Sequence, residues 1–118
     1  MQSKLKLKNM ETMELKLKET IYLKDGVEGP ITGEMMEVTS TINRIWKGIL
    51  GQNMIVTSMR DGVHMKNSKH YEGKAIDIRT RYLSIKQKDV IMKYIKEVLE
   101  YKCDVILETD HIHVELKK

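Results

Sequence analysis

Residues 75–116 read AIDIRTRYLSIKQKDVIMKYIKEVLEYKCDVILETDHIHVEL, and the pattern of these residues gives the clearest indication of the fold. In residues 75–79, isoleucine alternates with Ala75, Asp77 and Arg79, a pattern of period two that predicts a strand. Ile76 and Ile78 would share one face of this strand, whereas Asp77 would lie on the opposite face. The stretch therefore begins with a strand that has one apolar face and one face available to polar groups.

The next part of the same stretch predicts a helix over about 85–101. Ser84 is a typical N-cap residue because its side chain can accept a hydrogen bond from a free backbone N–H of the first turn. Residues 104–107 and 111–116 then predict two closing strands. Spacings of three and four residues relate the apolar side chains of the helix, which are Val90, Ile91, Tyr94, Ile95, Val98 and Leu99.

The preceding part of the chain predicts a second helix, a strand and a long loop. Thr32 can cap a helix that runs to about Leu50, and Gly51 is a plausible stop for it. Residues 54–57 predict a short buried strand. Residues 58–74 are rich in Gly, Asn, Ser and Lys, a composition typical of a loop.

The N-terminal residues 4–24 alternate apolar and polar side chains, with several lysines on the polar face. This pattern predicts strands, with a turn at about 9–12. We expect a single domain over 1–118, in which 1–24 form Lys-rich strands and about 30–116 form the core. The predicted fold class is α+β, with a mainly antiparallel sheet and two main helices.

Composition limits the class of protein. The chain has 118 residues, of which 41% are hydrophobic, enough for one compact core. No apolar run approaches the roughly 20 residues of a transmembrane helix, so no membrane insertion is expected. The charged N-terminus lacks the apolar stretch of a secretory signal, so none is predicted. Cys103 is the one cysteine, which excludes an internal disulfide, and we interpret it as a core residue.

The charge of the chain is mildly basic. It has 21 Lys and Arg against 17 Asp and Glu, a formal net charge of +4. This excess is small, and no aromatic residues alternate with the lysines to stack on bases. We therefore expect no nucleic-acid partner.

Two short segments combine histidines with carboxylates. Residues 68–77 contain His70 and Asp77, and residues 108–113 contain His111 and His113. Two imidazoles and one carboxylate form a typical zinc site that leaves one position open for water. Such an ion lowers the pKa of water, and a nearby carboxylate can take up the released proton. The combination predicts a hydrolytic metal site.

The closing strand favours one arrangement of these groups. His111 and His113 lie two residues apart, so on a strand they face the same side. Asp110 would face the other side of a regular strand. It can reach the site if the strand begins at His111 and Asp110 belongs to the turn, and Glu108 is the alternative carboxylate.

Together the two segments resemble the zinc D-alanyl-D-alanine peptidases that share the Hedgehog/DD-peptidase fold, including phage endolysin-type enzymes. That family carries Ser-x-His-x-x-Gly-x-Ala-x-Asp, followed by a closing Asp-His-x-His. The resemblance covers about residues 30–116 and includes Val56-Thr57-Ser58-Met59-Arg60 upstream. In this chain the two motifs are complete as Ser68, His70, Gly73, Ala75 and Asp77, and as Asp110, His111 and His113.

The resemblance implies a role for each matching residue. His70, Asp77 and His113 would bind Zn²⁺. Asp110, three residues before the last ligand, would be the general base. His111 would stabilise the oxyanion that develops during hydrolysis.

Other roles follow less directly from the motif. Arg60 would hold a substrate carboxylate or carbonyl through its fork of donors, with Arg79 and Arg81 as alternatives. Ser68 would orient a ligand rather than bind the metal. Glu108 would replace Asp110 as the base if the turn had a different register.

The resemblance implies a zinc peptidase that cuts a peptide bond in peptidoglycan. The bond would be either D-Ala-D-Ala or L-Ala-D-Glu, and the small single domain is similar to phage or prophage lytic enzymes. Such a protein would stay in the cytoplasm until released, or be carried in a virion, and would act on the cell wall. A non-catalytic zinc-containing binding module, or a virion structural module, is the alternative.

Overall fold

The computed structural model describes residues 20–118. The predicted strands and turn before residue 20 lie outside this range. The described chain forms two helices and five strands, in the order β1, α1, β2, β3, α2, β4 and β5. The elements are β1 (Tyr22–Leu23), α1 (Gly33–Leu50), β2 (Ile55–Ser58), β3 (Ala75–Arg79), α2 (Ile85–Leu99), β4 (Cys103–Leu107) and β5 (His111–Leu116).

The strands form one sheet in the order β1-β2-β3-β5-β4. Every neighbouring pair is antiparallel except β1 and β2, which are parallel. The prediction of an α+β fold with two helices and a mainly antiparallel sheet is therefore confirmed. The parallel pair was not predicted, and it follows from the position of α1, which connects β1 to β2.

Both helices begin, and α1 also ends, where the local sequence predicts. Thr32 accepts a hydrogen bond from the backbone N–H of Met35 at 3.1 Å, and Gly51 ends α1 in a left-handed conformation. Ser84 and Gln87 form a complete capping box at the start of α2. The second helix ends at Leu99, two residues before the predicted end.

One face of the sheet packs against the helices and forms the core. Ile76 and Ile78 of β3 are fully buried there, as are Ile112 and Val114 of β5. Cys103 also belongs to this core, as predicted. The helical stripe of α2 is narrower than predicted: Ile91, Ile95 and Leu99 are buried, whereas Tyr94 and Val98 are 46% and 45% exposed.

The buried amide of Asn43 joins α1 to the sheet. Its Oδ1 accepts from the backbone N–H of Met54 at 3.0 Å, and its Nδ2 donates to the carbonyl of Thr20 at 3.1 Å. These bonds fix the chain on either side of α1 at the point where β1 and β2 begin. The predicted strand at 54–57 is shifted by one residue, because Met54 makes this contact just before β2.

Gly73 connects the loop before β3 to the start of α1. Its backbone is left-handed, with φ +72°, and its carbonyl accepts from the Thr32 N–H at 2.9 Å. A Cβ at this position would lie 2.8 Å from the carbonyl oxygen of Pro30. The close approach requires glycine and holds the loop that carries His70 against the body of the domain.

We predict that Gly73→Ala destabilises the protein more than Gly26→Ala does. Both glycines have positive φ, which costs an alanine about 1 kcal/mol. Only Gly73 adds a steric clash, since a Cβ on Gly26 would meet no atom within 4 Å. We expect an additional loss of about 2 kcal/mol for Gly73→Ala, measured by urea denaturation. Equal losses in the two variants would contradict the proposed close packing.

Candidate metal centre

The register of β3 against β5 places Asp77 directly opposite His113. Residues opposite each other in an antiparallel pair share one face, so both side chains lie on the face away from the core. The Nδ1 atom of His113 is 2.9 Å from the Oδ1 atom of Asp77. This pair supplies two of the side chains of the site.

His70 enters the site from a short 3-10 turn, Lys69–Glu72. Ser68 begins this turn, and its hydroxyl accepts from the backbone N–H of His70 at 3.1 Å. The imidazole of His70 is buried, and its Nε2 atom is 3.3 Å from Asp77 Oδ1. Ser68 therefore holds the backbone of His70 at the start of this turn.

The outer nitrogen of each imidazole has its own partner. Nδ1 of His70 is 2.6 Å from the carbonyl oxygen of Met59, to which it donates. Nε2 of His113 is 2.8 Å from a carboxylate oxygen of Glu115. In the metal-free protein the inner nitrogens of both rings face Asp77 as hydrogen-bond donors. A metal ion that replaced these protons would leave a proton on each outer nitrogen and a lone pair on each inner one, directed at the ion. This arrangement is common among metal-binding histidines.

One ligand atom from each of His70, Asp77 and His113 lies within 4.8 Å of the others. Two imidazoles and a carboxylate are a donor set that suits a divalent transition metal. The three residues can therefore hold a metal ion. The donor chemistry and the oriented rings both fit such an ion.

The charges of the site are strongly coupled in the metal-free protein. Burial of Asp77 by itself would raise its pKa, but hydrogen bonds from His113 and His70 outweigh burial and hold that pKa well below its usual range. The hydrogen bond to Asp77 raises the pKa of His113 to about 9 despite partial burial, and Glu115 contributes in the same direction. When no metal is bound, His113 is therefore a positively charged imidazolium at neutral pH, with both ring nitrogens protonated.

His111 and Asp110 lie beside this cluster. Nε2 of His111 is 3.8 Å from Asp77 Oδ1, and its Nδ1 is 2.8 Å from Asp110 Oδ1. Strand β5 begins at His111, so Asp110 belongs to the turn, which is the arrangement that lets it approach the site. The hydrogen bond from His111 lowers the pKa of Asp110, which is therefore ionised at neutral pH.

Two open grooves meet at Asp77 and His111, which line both of them. The first groove, of about 590 Å³, runs between the 64–68 segment and a wall that includes Glu108 and Glu115. The second groove, of about 490 Å³, is lined by Asp110 and by three basic residues, which are Lys24, Arg79 and Arg81. All three cluster residues line the first groove, where acidic side chains outnumber Lys66, and Asp77 also lines the second, where basic side chains outnumber acidic ones.

The structure does not bring every predicted site residue into these grooves. Arg60 is exposed, and neither groove includes it among its lining residues. Its alternatives, Arg79 and Arg81, both line the second groove. Glu108, the alternative base, lines the first groove, whereas Asp110 lines the second.

Two residues at the site were not predicted from the sequence. His64 stacks on His70, with ring centroids 3.9 Å apart and planes 9° apart, although it matched no motif position. Glu115 contacts His113, and the alternation of His111, His113 and Glu115 along β5 was a signal that could have identified it. No comparable signal existed for His64, because an irregular loop brings it to the site.

No protein-family model matches this chain, and no curated protein matches it either. Within residues 20–118, no helix is both long enough and apolar enough to cross a membrane. The function must therefore be inferred from the geometry of the site and from the motifs.

We predict that His113→Ala abolishes high-affinity zinc binding, whereas His111→Ala retains it. His113 supplies one of the three clustered ligand atoms, and His111 supplies none of them. We expect the first variant to lose more than about 100-fold in affinity, measured by competition with a chromogenic chelator. Near-stoichiometric zinc in purified His113→Ala would contradict the ligand assignment.

We predict opposite effects of pH on zinc affinity and on the stability of the metal-free protein. The pKa of His113 is raised from 6.5 to about 9, so its proton stabilises the metal-free fold fully below pH 6.5, and this contribution is lost as pH rises through 9. Zinc must displace the same proton, so its affinity should increase by up to about tenfold per pH unit in this window. At pH 6.5, 7.5 and 8.5, chelator competition measures the zinc affinity and urea denaturation measures the stability of the metal-free protein. A zinc affinity independent of pH would contradict this coupling.

Proposed function

We propose that this chain is a zinc-dependent peptidase that hydrolyses a peptide bond in the stem peptides of bacterial peptidoglycan. One observation carries the proposal: the ligand atoms of His70, Asp77 and His113 converge where two grooves meet, next to the hydrogen-bonded pair Asp110 and His111. The two complete motifs support it, because they resemble those of zinc D-alanyl-D-alanine peptidases. Family membership and the Hedgehog/DD-peptidase fold are part of the proposal.

The proposed metal is zinc, held by His70, Asp77 and His113. Nitrogen and carboxylate donors suit this ion, and three protein ligands are typical of a catalytic zinc site. When bound, zinc would supply Lewis acidity to a peptide carbonyl and to a water molecule. Asp77 contributes one negative charge and the two imidazoles none, so the three ligands by themselves would leave one positive charge on the ion.

Asp110 and His111 are the proposed proton-handling and charge-stabilising groups. Asp110 is exposed and ionised, so its carboxylate can take a proton from the attacking water and pass it to the nitrogen of the leaving amine. His111 donates from Nδ1 to Asp110, and its Nε2 faces the metal cluster at 3.8 Å from Asp77. A proton on that Nε2 would stabilise negative charge on the substrate oxygen.

The charge difference between the grooves suits a peptide with a free carboxylate beside the scissile bond. Arg79 and Arg81 line the second groove, and guanidinium groups bind carboxylates through paired hydrogen bonds. We therefore assign to Arg79 or Arg81 the carboxylate contact that the resemblance gives to Arg60. Both proposed bonds, D-Ala-D-Ala and L-Ala-D-Glu, have such a carboxylate on the leaving side.

The biological setting is the one implied by the resemblance to lytic enzymes. A phage or prophage origin would bring the enzyme to the cell wall after release from the cytoplasm or from a virion. The Lys-rich residues before β1 would add positive charge close to an anionic wall.

We predict that the zinc-loaded protein releases peptide fragments from purified peptidoglycan and that Asp110→Asn slows this release by about 10²- to 10⁴-fold, the usual contribution of a general base. Glu108→Gln removes a carboxylate of the first groove and should slow release far less. Mass spectrometry of the fragments identifies the new termini and therefore the bond.

Zinc content is measured in all three proteins as the control. A larger loss in Glu108→Gln than in Asp110→Asn would transfer the role of base to Glu108. No cleavage by a parent protein that binds zinc would contradict the peptidase and favour a non-catalytic zinc-containing module.

A further inference from the structure

Glu115 is the third polar residue on the outer face of β5, after His111 and His113. It lies opposite Ala75 of β3 and opposite Asp104 of β4. Ala75 is fully buried and has the smallest side chain on this face of β3, so the larger Glu115 side chain has room to lie along the sheet towards His113.

The contact between Glu115 and His113 is specific in geometry. Oε1 of Glu115 is 2.8 Å from Nε2 of His113, and the Glu115 side chain is 26% exposed. The other nitrogen of the same ring, Nδ1, is 2.9 Å from Asp77. Glu115 therefore contacts the side of the imidazole opposite the metal cluster, and its carboxylate is not among the clustered ligand atoms.

We propose that Glu115 is a positioning residue that sets the tautomer and orientation of His113 for metal binding. By accepting a hydrogen bond from Nε2–H, it leaves the lone pair of Nδ1 directed at the metal position and prevents the ring from flipping. Its negative charge also increases the electron density of the imidazole, which strengthens the bond from Nδ1 to a metal ion.

The outer nitrogen of His70 also has a hydrogen-bond acceptor. It donates to the neutral carbonyl of Met59, whereas the outer nitrogen of His113 faces an anionic carboxylate. With zinc present, the charges of Asp77 and Glu115 together would balance the charge of the ion. Loss of the Glu115 charge should therefore weaken metal binding more than loss of a carboxylate that contacts no ligand.

This inference rests on the zinc-binding part of the proposed function, and zinc binding itself tests it. Glu115→Ala removes the acceptor, and Glu115→Gln keeps an amide oxygen but removes the charge. Glu108→Gln is the matched control, since Glu108 lines the same groove and carries the same charge. Zinc affinity is measured by chelator competition, and NMR of the zinc-loaded proteins detects the proton on His113 Nε2.

We expect Glu115→Ala to lose about 10- to 100-fold in zinc affinity, as is typical when the partner of a metal-binding histidine is removed. Glu115→Gln should lose less, and Glu108→Gln should stay close to the parent. The NMR signal of a slowly exchanging His113 Nε2 proton should be present in the parent and in Glu108→Gln, but exchange with water should remove it in Glu115→Ala. Circular dichroism checks that each variant remains folded.

Each contrary result has a distinct meaning. Parent-like affinity in a folded Glu115→Ala, or an equal loss in Glu108→Gln, would overturn the role of Glu115 and leave zinc binding intact. Failure of the parent itself to bind zinc would overturn this inference and the proposed function together. If Glu115→Ala did not fold, Glu115→Leu, which also removes the acceptor, would decide, and parent-like zinc affinity in it would overturn the inference.

Discussion

The pairing of β3 with β5 places Asp77 opposite His113, and the metal centre depends on this register. A shift of either strand by one residue would move its ligand to the core face, where Ile78 and Ile112 pack instead. The buried isoleucines and valines of these two strands therefore specify the site as well as the core. A carboxylate and an imidazole that are 36 residues apart in the chain meet because the apolar face between them allows one alignment.

The position of His70, the third ligand, depends on a different constraint. This constraint is the close approach of the loop before β3 to the start of α1. Gly73 has no side chain, and its backbone lies against Pro30 and accepts from Thr32. The 3-10 turn before it carries His70, and Ser68 holds the first residues of that turn. Two rigid strands and one docked turn thus converge on one point, which limits the movement of the ligands before any metal binds.

The electrostatics of the site explain how one cluster can hold either a proton or a metal ion. In the metal-free protein, the hydrogen bond to Asp77 and the contact with Glu115 favour a protonated His113. The same two carboxylates would neutralise a divalent cation that replaced the proton. The cluster lies on the face of the sheet opposite the core, and its residues line open grooves. A substrate could therefore reach it. The site therefore combines a fixed metal position with room for a peptide.

The features that depend on neighbouring residues could be predicted from the sequence. Thr32, Ser84 and Gly51 mark helix ends through hydrogen bonds within one turn, and the alternation at 75–79 and 111–116 identified the outer face of each strand. The motif spacing identified the three residues that cluster. The tertiary structure was needed to show that His64 stacks on His70, that Glu115 contacts His113 and that Arg79 and Arg81, rather than Arg60, line a groove. The position of His64 depends on the path of an irregular loop, and that of the arginines on packing between distant segments, and local periodicity encodes neither. Alternation along β5 places Glu115 on the same face as His113, but the contact between their side chains is a matter of packing.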